Sequence, residues 1–335
     1  MNAGRFTAAP LIAAVISILV AGCVSAGGNA AVTAAAAAPE VPDITVAALP
    51  AVDLASLYIA QDQGLFARQG LHVTIEKIAS SQAIITDQLK GAVDISAGSY
   101  VPYIAAQAAG AKFHILAEAS TLGPDSRALV ISANSRITTI GQLAGKKIGL
   151  NGTNSIGTLL VSALLAQHGV SPRMVHFITD PAGFPAMPGE LRRGIWAAAF
   201  LSEPYITVAA EQYGEQVLAD LDQGALTNFP IDGYVATQGW ARQYPNTAAA
   251  FVRAIEQGQL LANTDPAVVR AAIGKYDDLP PIVTAGIVPS RYPIGPVSQT
   301  RIQRVATAML QFGMLGQADA TAVQRGTLVG SMVGP

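Results

Sequence analysis

The stretch KKIGLNGTNSIGTLLVSALLAQHGVSPRMVHFIT, residues 146–179, decides the fold. A short apolar strand, Lys147–Leu150, runs into a small polar loop, Asn151–Ser155. An apolar helix follows and stops at Gly169, a residue that tolerates positive φ at a helix end. A second strand, Met174–Ile178, closes the unit. Residues 43–77, DITVAALPAVDLASLYIAQDQGLFARQGLHVTIEK, repeat the order: strand Ile44–Leu49, small loop, amphipathic helix ended at Gly70, strand Val73–Ile75. The parallel continues. QLKGAVDISAGSYVPYI (88–104) answers ELRRGIWAAAFLSEPYI (190–206), each with a helix ending at a glycine (Gly91, Gly194), a buried strand and a loop to Pro-Tyr-Ile. Strand–helix–strand–helix order with apolar strands predicts parallel sheets covered on both faces. Two such units, about one hundred residues apart, predict two similar α/β lobes. One long doubly wound sheet is the alternative.

Between the copies, Phe113–Glu118 and Ala128–Ser132 read as strands joined by a Gly-Pro turn. Ala128–Ser132 and Tyr234–Thr237 are the expected crossings between lobes. From Asn246 the pattern is helical, with Asp265 an N-cap before Pro266. These helices are expected to return to the first lobe. The expected organisation is therefore lobe 1 over residues 43–130 and 234–335, and lobe 2 over 131–233.

In open α/β sheets ligands bind beyond the C-terminal strand ends. That rule gathers Asp53, Ser80, Ser81, Gly98, Ser99 and Tyr100 from the first repeat. From the second it gathers Asn151, Thr153, Asn154, Ser155, Glu203 and Tyr205. NGTNS, 151–155, is the strongest local signal: free N–H groups at a helix start attract anions, and the hydroxyls of Thr153 and Ser155 add donors. Ser155, Ser80–Ser81 and Asp53 are equally read as N-caps, Tyr100 and Tyr205 as packing, and Glu203 as a helix-start carboxylate. No Arg falls at a predicted loop tip; Arg127, near the first crossing, is the one candidate.

LYIAQDQGLFARQGLHVTI (57–75) resembles a block of type II extracytoplasmic substrate-binding proteins, the branch serving ABC importers for sulfonates, taurine, nitrate and thiamine precursors. QLKGAVDISAGSYVPYIAA, IGQLAGKKIGLNGTNS and ELRRGIWAAAFLSEP resemble three further blocks in the expected order. The resemblance spans Ile44 to Leu315. It implies the two-lobed, Venus-flytrap form of the type II periplasmic binding protein, with a two-strand hinge. It implies ligand contacts at Asn151–Ser155, Ser80–Ser81 and Gly98–Ser99. It also implies no catalysis and no cofactor, with an ABC permease and its ATPase as partners of a monomer. The sequence departs from the family at Ala197, where Asp is common, and at Phe200, where the nearby aromatic is often Trp. The favoured ligand is a small polar or anionic organic solute, sulfonate-, taurine- or nitrate-like. The alternatives are a tethered presenter of ligand to a sensor, and a thiamine-precursor (pyrimidine) binder or synthase-like relative. A pyridoxal-phosphate synthase needs a cleft lysine and clustered histidines. Lys146 and Lys147 instead precede a strand, at the end away from the cleft.

The N-terminus places the protein. Arg5 precedes an apolar run from Ala8 to Ala21, too short and broken for a membrane span. Val20-Ala21-Gly22-Cys23 resembles a bacterial lipobox, and Cys23 is the only cysteine. Residues 1–22 are thus expected to be a lipoprotein signal, and Cys23 the acylated first residue of an extracytoplasmic, membrane-anchored chain. Residues 24–42, rich in Ala, Gly, Ser, Thr and Pro, are the expected flexible tether. With 51% hydrophobic and 13% charged residues, the chain reads as a well-buried globular protein. Its 20 Lys and Arg against 22 Asp and Glu over the full sequence form no basic stripe, so nucleic acid is not an expected partner. No HExxH, GxSxG or GxxxxGK[ST] motif is present. Of the four histidines, His72, His114, His168 and His176, the pair His72 and His168 sit at equivalent helix–strand junctions of the repeats and are expected at surfaces or edges.

Overall fold

The computed structural model describes residues 37–49, 51–78 and 80–334. Cys23, the expected signal and residues 24–36 of the expected tether lie outside them. The apolar runs of the first repeat form β1 (Asp43–Ala48), β2 (His72–Lys77) and β3 (Ile95–Ser99), with β4 (Phe113–Thr121) following. β5 (Arg127–Ile131) lies between the repeats; the second repeat forms β6 (Lys147–Leu150), β7 (His176–Thr179) and β8 (Ala198–Ser202), and β9 (Gln216–Asp220) and β10 (Pro230–Thr237) follow it. The helices α1 (Ala55–Asp62), α2 (Leu65–Arg68), α3 (Ser81–Leu89) and α4 (Tyr100–Ala108) serve the first sheet. Those of the second repeat are α5 (Ile156–Gln167), α6 (Met187–Arg192) and α7 (Tyr205–Tyr213). After β10 come α8 (Gln238–Gln243), α9 (Pro245–Thr264), α10 (Pro266–Tyr276), α11 (Pro281–Gly286), α12 (Gln299–Gln311), α13 (Ala320–Gln324) and α14 (Thr327–Val333).

There are two five-stranded sheets, ordered β2-β1-β3-β10-β4 and β7-β6-β8-β5-β9. Their pairing follows one plan. β1 runs parallel to β2 and β3, as β6 does to β7 and β8. In each sheet the fourth strand is antiparallel to both neighbours: β10 in the first, β5 in the second. Both sheets are therefore mixed. The expected crossings, Ala128–Ser132 and Tyr234–Thr237, differ from what is found. β5 and β10 pair along their lengths within one sheet each, because a strand bonded on both edges cannot leave its sheet midway. The chain changes sheet between Thr121 and Arg127 and again between Asp220 and Pro230. In the first turn the Ser126 hydroxyl donates to Gly123 O at 2.8 Å. The second is held by Arg304, which donates to the carbonyls of Ala225, Thr227 and Asn228 at 3.0–3.1 Å. The turns are joined to each other, Leu122 N donating to Phe229 O at 2.8 Å.

The C-terminal helices return as expected. α9 and α10 pack on α1, and the Asp265 side chain caps α10 by accepting from Ala267 N at 2.9 Å. Glu40, within the stretch expected as tether, is bonded to the body. Glu40 accepts from the amides of Asn246 and Thr247 at 2.9 and 2.8 Å, at the free start of α9. Burial alone would raise its pKa, but these bonds hold the carboxyl down at about 2. Among the described residues no helix is long and apolar enough to cross a membrane.

Candidate functional site

A narrow cavity of about 40 Å³ opens between the C-terminal ends of the parallel strands. Loops of the first sheet supply Leu49, Ala51, Ser80–Gln82, Ser99 and Pro102. The second supplies Asn151–Ile156 and Phe184, and Arg127 and Asp232, at the starts of β5 and β10, complete the lining.

Three helices begin at this cavity, and each is capped by a serine. Ser80 accepts from Ala83 N at the start of α3, Ser99 from Val101 N at α4, and Ser155 from Thr158 N at α5. Ser81 accepts from Ser99 N at 3.1 Å, which joins the first two helix starts. Accepting leaves each hydroxyl its own hydrogen to donate. Asn154 sits in the left-handed region at φ 47°, a conformation Asn tolerates, and it bends the 151–155 segment into the cavity wall. Three positive helix ends on one small cavity favour a ligand with negative or strongly accepting atoms.

Seven residues singled out from the sequence come together on this lining: Ser80, Ser81, Ser99, Asn151, Thr153, Asn154 and Ser155. The other five stand behind it. Gly98 lets the start of α3 approach β3, since a Cβ there would meet Ser81 Oγ at 2.8 Å. Tyr100 is buried under β10, its ring where a Cβ on Gly233 would fall. Tyr205 stacks on the back of Phe184 at 6.0 Å. Glu203 caps α7, accepting from Thr207 N at 3.2 Å and Thr207 Oγ1 at 2.8 Å. Asp53 is no N-cap: it lies inside the short helical turn Val52–Leu54 and is turned inward.

Asp53 anchors a buried cluster. Ser120, Ser202 and Ser290 all donate to its carboxylate, at 3.0–3.2 Å. Arg127 Nη2 lies 2.7 Å from Asp53 Oδ2 and 3.3 Å from Asp232 Oδ2. Asp53, Ser120 and Asp232 belong to the first sheet's side, Arg127 and Ser202 to the second, so the cluster ties the two together. Phe200 covers one face of the guanidinium at 5.8 Å. Asp232, Phe184 and Gln82 were not legible as site residues from the sequence. The available signal was the lone charge opening an apolar strand, in SRALVI (126–131) and PIDGYV (230–235).

Burial pushes the Glu203 carboxyl up to about 7 although the bonds from Thr207 pull it down. Burial likewise raises Glu215 to about 7. Both groups hold more protons folded than unfolded above pH 4.5, so their contribution falls as pH rises and levels off above about 7. For the closely buried Glu203 this is worth roughly 3 kcal/mol. Melting temperature is expected to decline from pH 5 to pH 8, and Glu203→Gln to flatten the decline. An equal slope in parent and variant would rule Glu203 out as its source.

Two mixed sheets of this order, with helices on both faces, have the type II periplasmic-binding-protein fold. The chain matches the NMT1/THI5 like family over residues 51–268, most of its length, and belongs to that family. The alkanesulfonate-binding protein SsuA from Xanthomonas axonopodis pv. citri, bound to MOPS, superposes with TM-score 0.72. It is 18% identical, over 83% of this chain and 96% of that one. The periplasmic nitrate-binding protein NrtA from Synechocystis PCC 6803 superposes with TM-score 0.73 at 16% identity, over 87% and 88%. In sequence, the chain is 26% identical over 233 residues to the bicarbonate transport ATP-binding protein CmpC of Synechocystis. That match takes in 62% of this chain but only 33% of the relative's length.

Proposed function

We propose that the protein is the extracytoplasmic solute-binding component of an ABC importer. It captures a small polar or anionic organic solute, sulfonate-, taurine- or nitrate-like, and delivers it to a permease driven by an ATPase. The observation that carries this reading is the cavity between two sheets onto which three serine-capped helix starts converge. The sulfonate- and nitrate-binding names of the structural relatives support it. In this reading the two sheets are the cores of two lobes that close on the solute. This reading assigns no step of catalysis; among the described residues of the lining no nucleophile is paired with a base. The segment Asn151–Ser155 holds the polar head. Donor bonds to a charged group contribute about 1.5–3 kcal/mol each.

Thr153→Ala is therefore expected to weaken solute binding about tenfold while melting unchanged. Ser155→Ala is expected to do the same and also lose about 1 kcal/mol of stability, because its oxygen caps α5. Calorimetric titration against alkanesulfonates, taurine and nitrate, beside thermal melts, separates the two effects. Parent-like affinity in both variants would move the polar head elsewhere.

Cys23 serves as the lipid anchor in this scheme, with residues 1–22 removed. Cys23→Ala is expected to shift the protein from the membrane to the soluble fraction. An unmodified Cys23 in the intact mass of the mature protein would refute the anchor.

A further inference from the structure

We propose that Arg127 reads an oxyanion of the solute, and that Asp232 occupies its guanidinium until that oxyanion arrives. The assignment rests on the cavity being the solute site. Among the described residues, Arg127 is the only cationic side chain lining it. Its two carboxylate partners are unequal: Asp53 is close at 2.7 Å and Asp232 distant at 3.3 Å. Asp53 is also held by three serine hydroxyls, so it is fixed. Asp232 has one oxygen with no partner at all, and Arg127 Nε–H has none either. Both residues are almost fully buried and both line the cavity. A buried polar group without a partner is costly. A bidentate oxyanion across Nε and an Nη would satisfy the guanidinium, which is built for that geometry.

Two carboxylates and a bound oxyanion cannot all stay charged around one guanidinium. Burial raises the Asp232 carboxyl, and neighbouring Asp53 raises it further, against the pull of Arg127 and Ser120. The other titratable groups facing this region are Tyr100, Tyr103, Tyr234 and Tyr292, all pushed well above their usual range by burial and so uncharged, with the Glu118–Arg301 ion pair beyond Tyr100. Asp232 is thus the group that gives way. It takes one proton from solvent as the oxyanion docks, and the net charge of the cluster is unchanged. Asp53 keeps the guanidinium in place throughout.

Titration calorimetry on the soluble Cys23→Ala chain tests this, with propanesulfonate and propionate as oxyanions and propanesulfonamide as the neutral counterpart. Buffers of different ionisation enthalpy count protons. The parent is expected to take up close to one proton above neutral pH, with oxyanion affinity falling up to tenfold per pH unit. Asp232→Asn is expected to bind oxyanions more tightly and to lose that slope. Arg127→Lys keeps the charge but not the fork, and is expected to weaken them about tenfold or more. Sulfonamide binding as tight as sulfonate, or the parent's pH slope surviving in Asp232→Asn, overturns the assignment while leaving the solute site in place. Failure of the parent to bind any oxyanion overturns both. Asp232→Asn changes no shape, so it decides the matter even if Arg127→Lys fails to fold.

Discussion

Replacing Asp53 with Leu is expected to cost the protein about 3–5 kcal/mol of stability, read by urea denaturation. The side chain is 1% exposed and gathers Ser120, Ser202, Ser290 and Arg127. Removing it strands three buried hydroxyls and takes from the guanidinium its nearest counter-charge. Breaking a buried pair from one side is the costly case, since the remaining charge cannot be rehydrated. Asp53→Asn keeps the shape and some of the hydrogen bonds, and is expected to fall between Leu and the parent. A loss below 1 kcal/mol for Asp53→Leu would mean that water reaches the cluster and that it does not join the two sheets.

Gly258→Ala is expected to be the most damaging single methyl added to the helical layer, about 3 kcal/mol, the upper end for overpacking. Gly258 lies where α9 crosses α1. A Cβ there would stand 2.4 Å from the carbonyl oxygen of Ser56, and backbone cannot turn aside as a side chain can. The Ser56 hydroxyl is bonded to Tyr234 OH at 2.8 Å beneath, so the helix cannot slide without breaking a buried contact. Gly239→Ala is the control. It too is helical, its nearest neighbour is 3.9 Å away, and it is expected to gain a few tenths of a kcal/mol. Equal melting of the two variants would show α1 and α9 to be less closely set.

Most of the strand–helix order was legible because it rests on local rules. β1, β3, β6 and β8 are apolar runs closed by turn residues, and Gly70, Gly91, Gly169 and Gly194, each read as the end of a helix, all adopt positive φ. β9 was missed: QVLAD is an edge strand, exposed or half-buried throughout, with no apolar run to betray it. The crossings were misplaced because a strand inside a sheet and a strand leaving one carry the same residues. Only the partner strand tells them apart, and it lies far along the chain. The cavity loops were found because they follow strand ends. Asp53 reads as a cap or a ligand acceptor in the sequence because its partners Arg127 and Ser202 come from the other sheet. Arg127 drew notice only for its position, and Asp232 none, since pairing of buried charges is a property of the assembled molecule.

The placement of β5 and β10 bears on the order in which the protein can assemble. Every strand of the second sheet lies within residues 127–220, an unbroken segment. The first sheet needs β10 between β3 and β4, and β10 ends at Thr237. On the ribosome, β1 to β4 therefore emerge first yet wait with the edges of β3 and β4 unpaired, while the segment behind them closes its own sheet. Open strand edges invite wrong partners. The later-made half can thus be complete while the earlier-made half still needs guarding, and the last long-range event of folding is the insertion of one strand, β10, into the middle of a sheet begun nearly two hundred residues before.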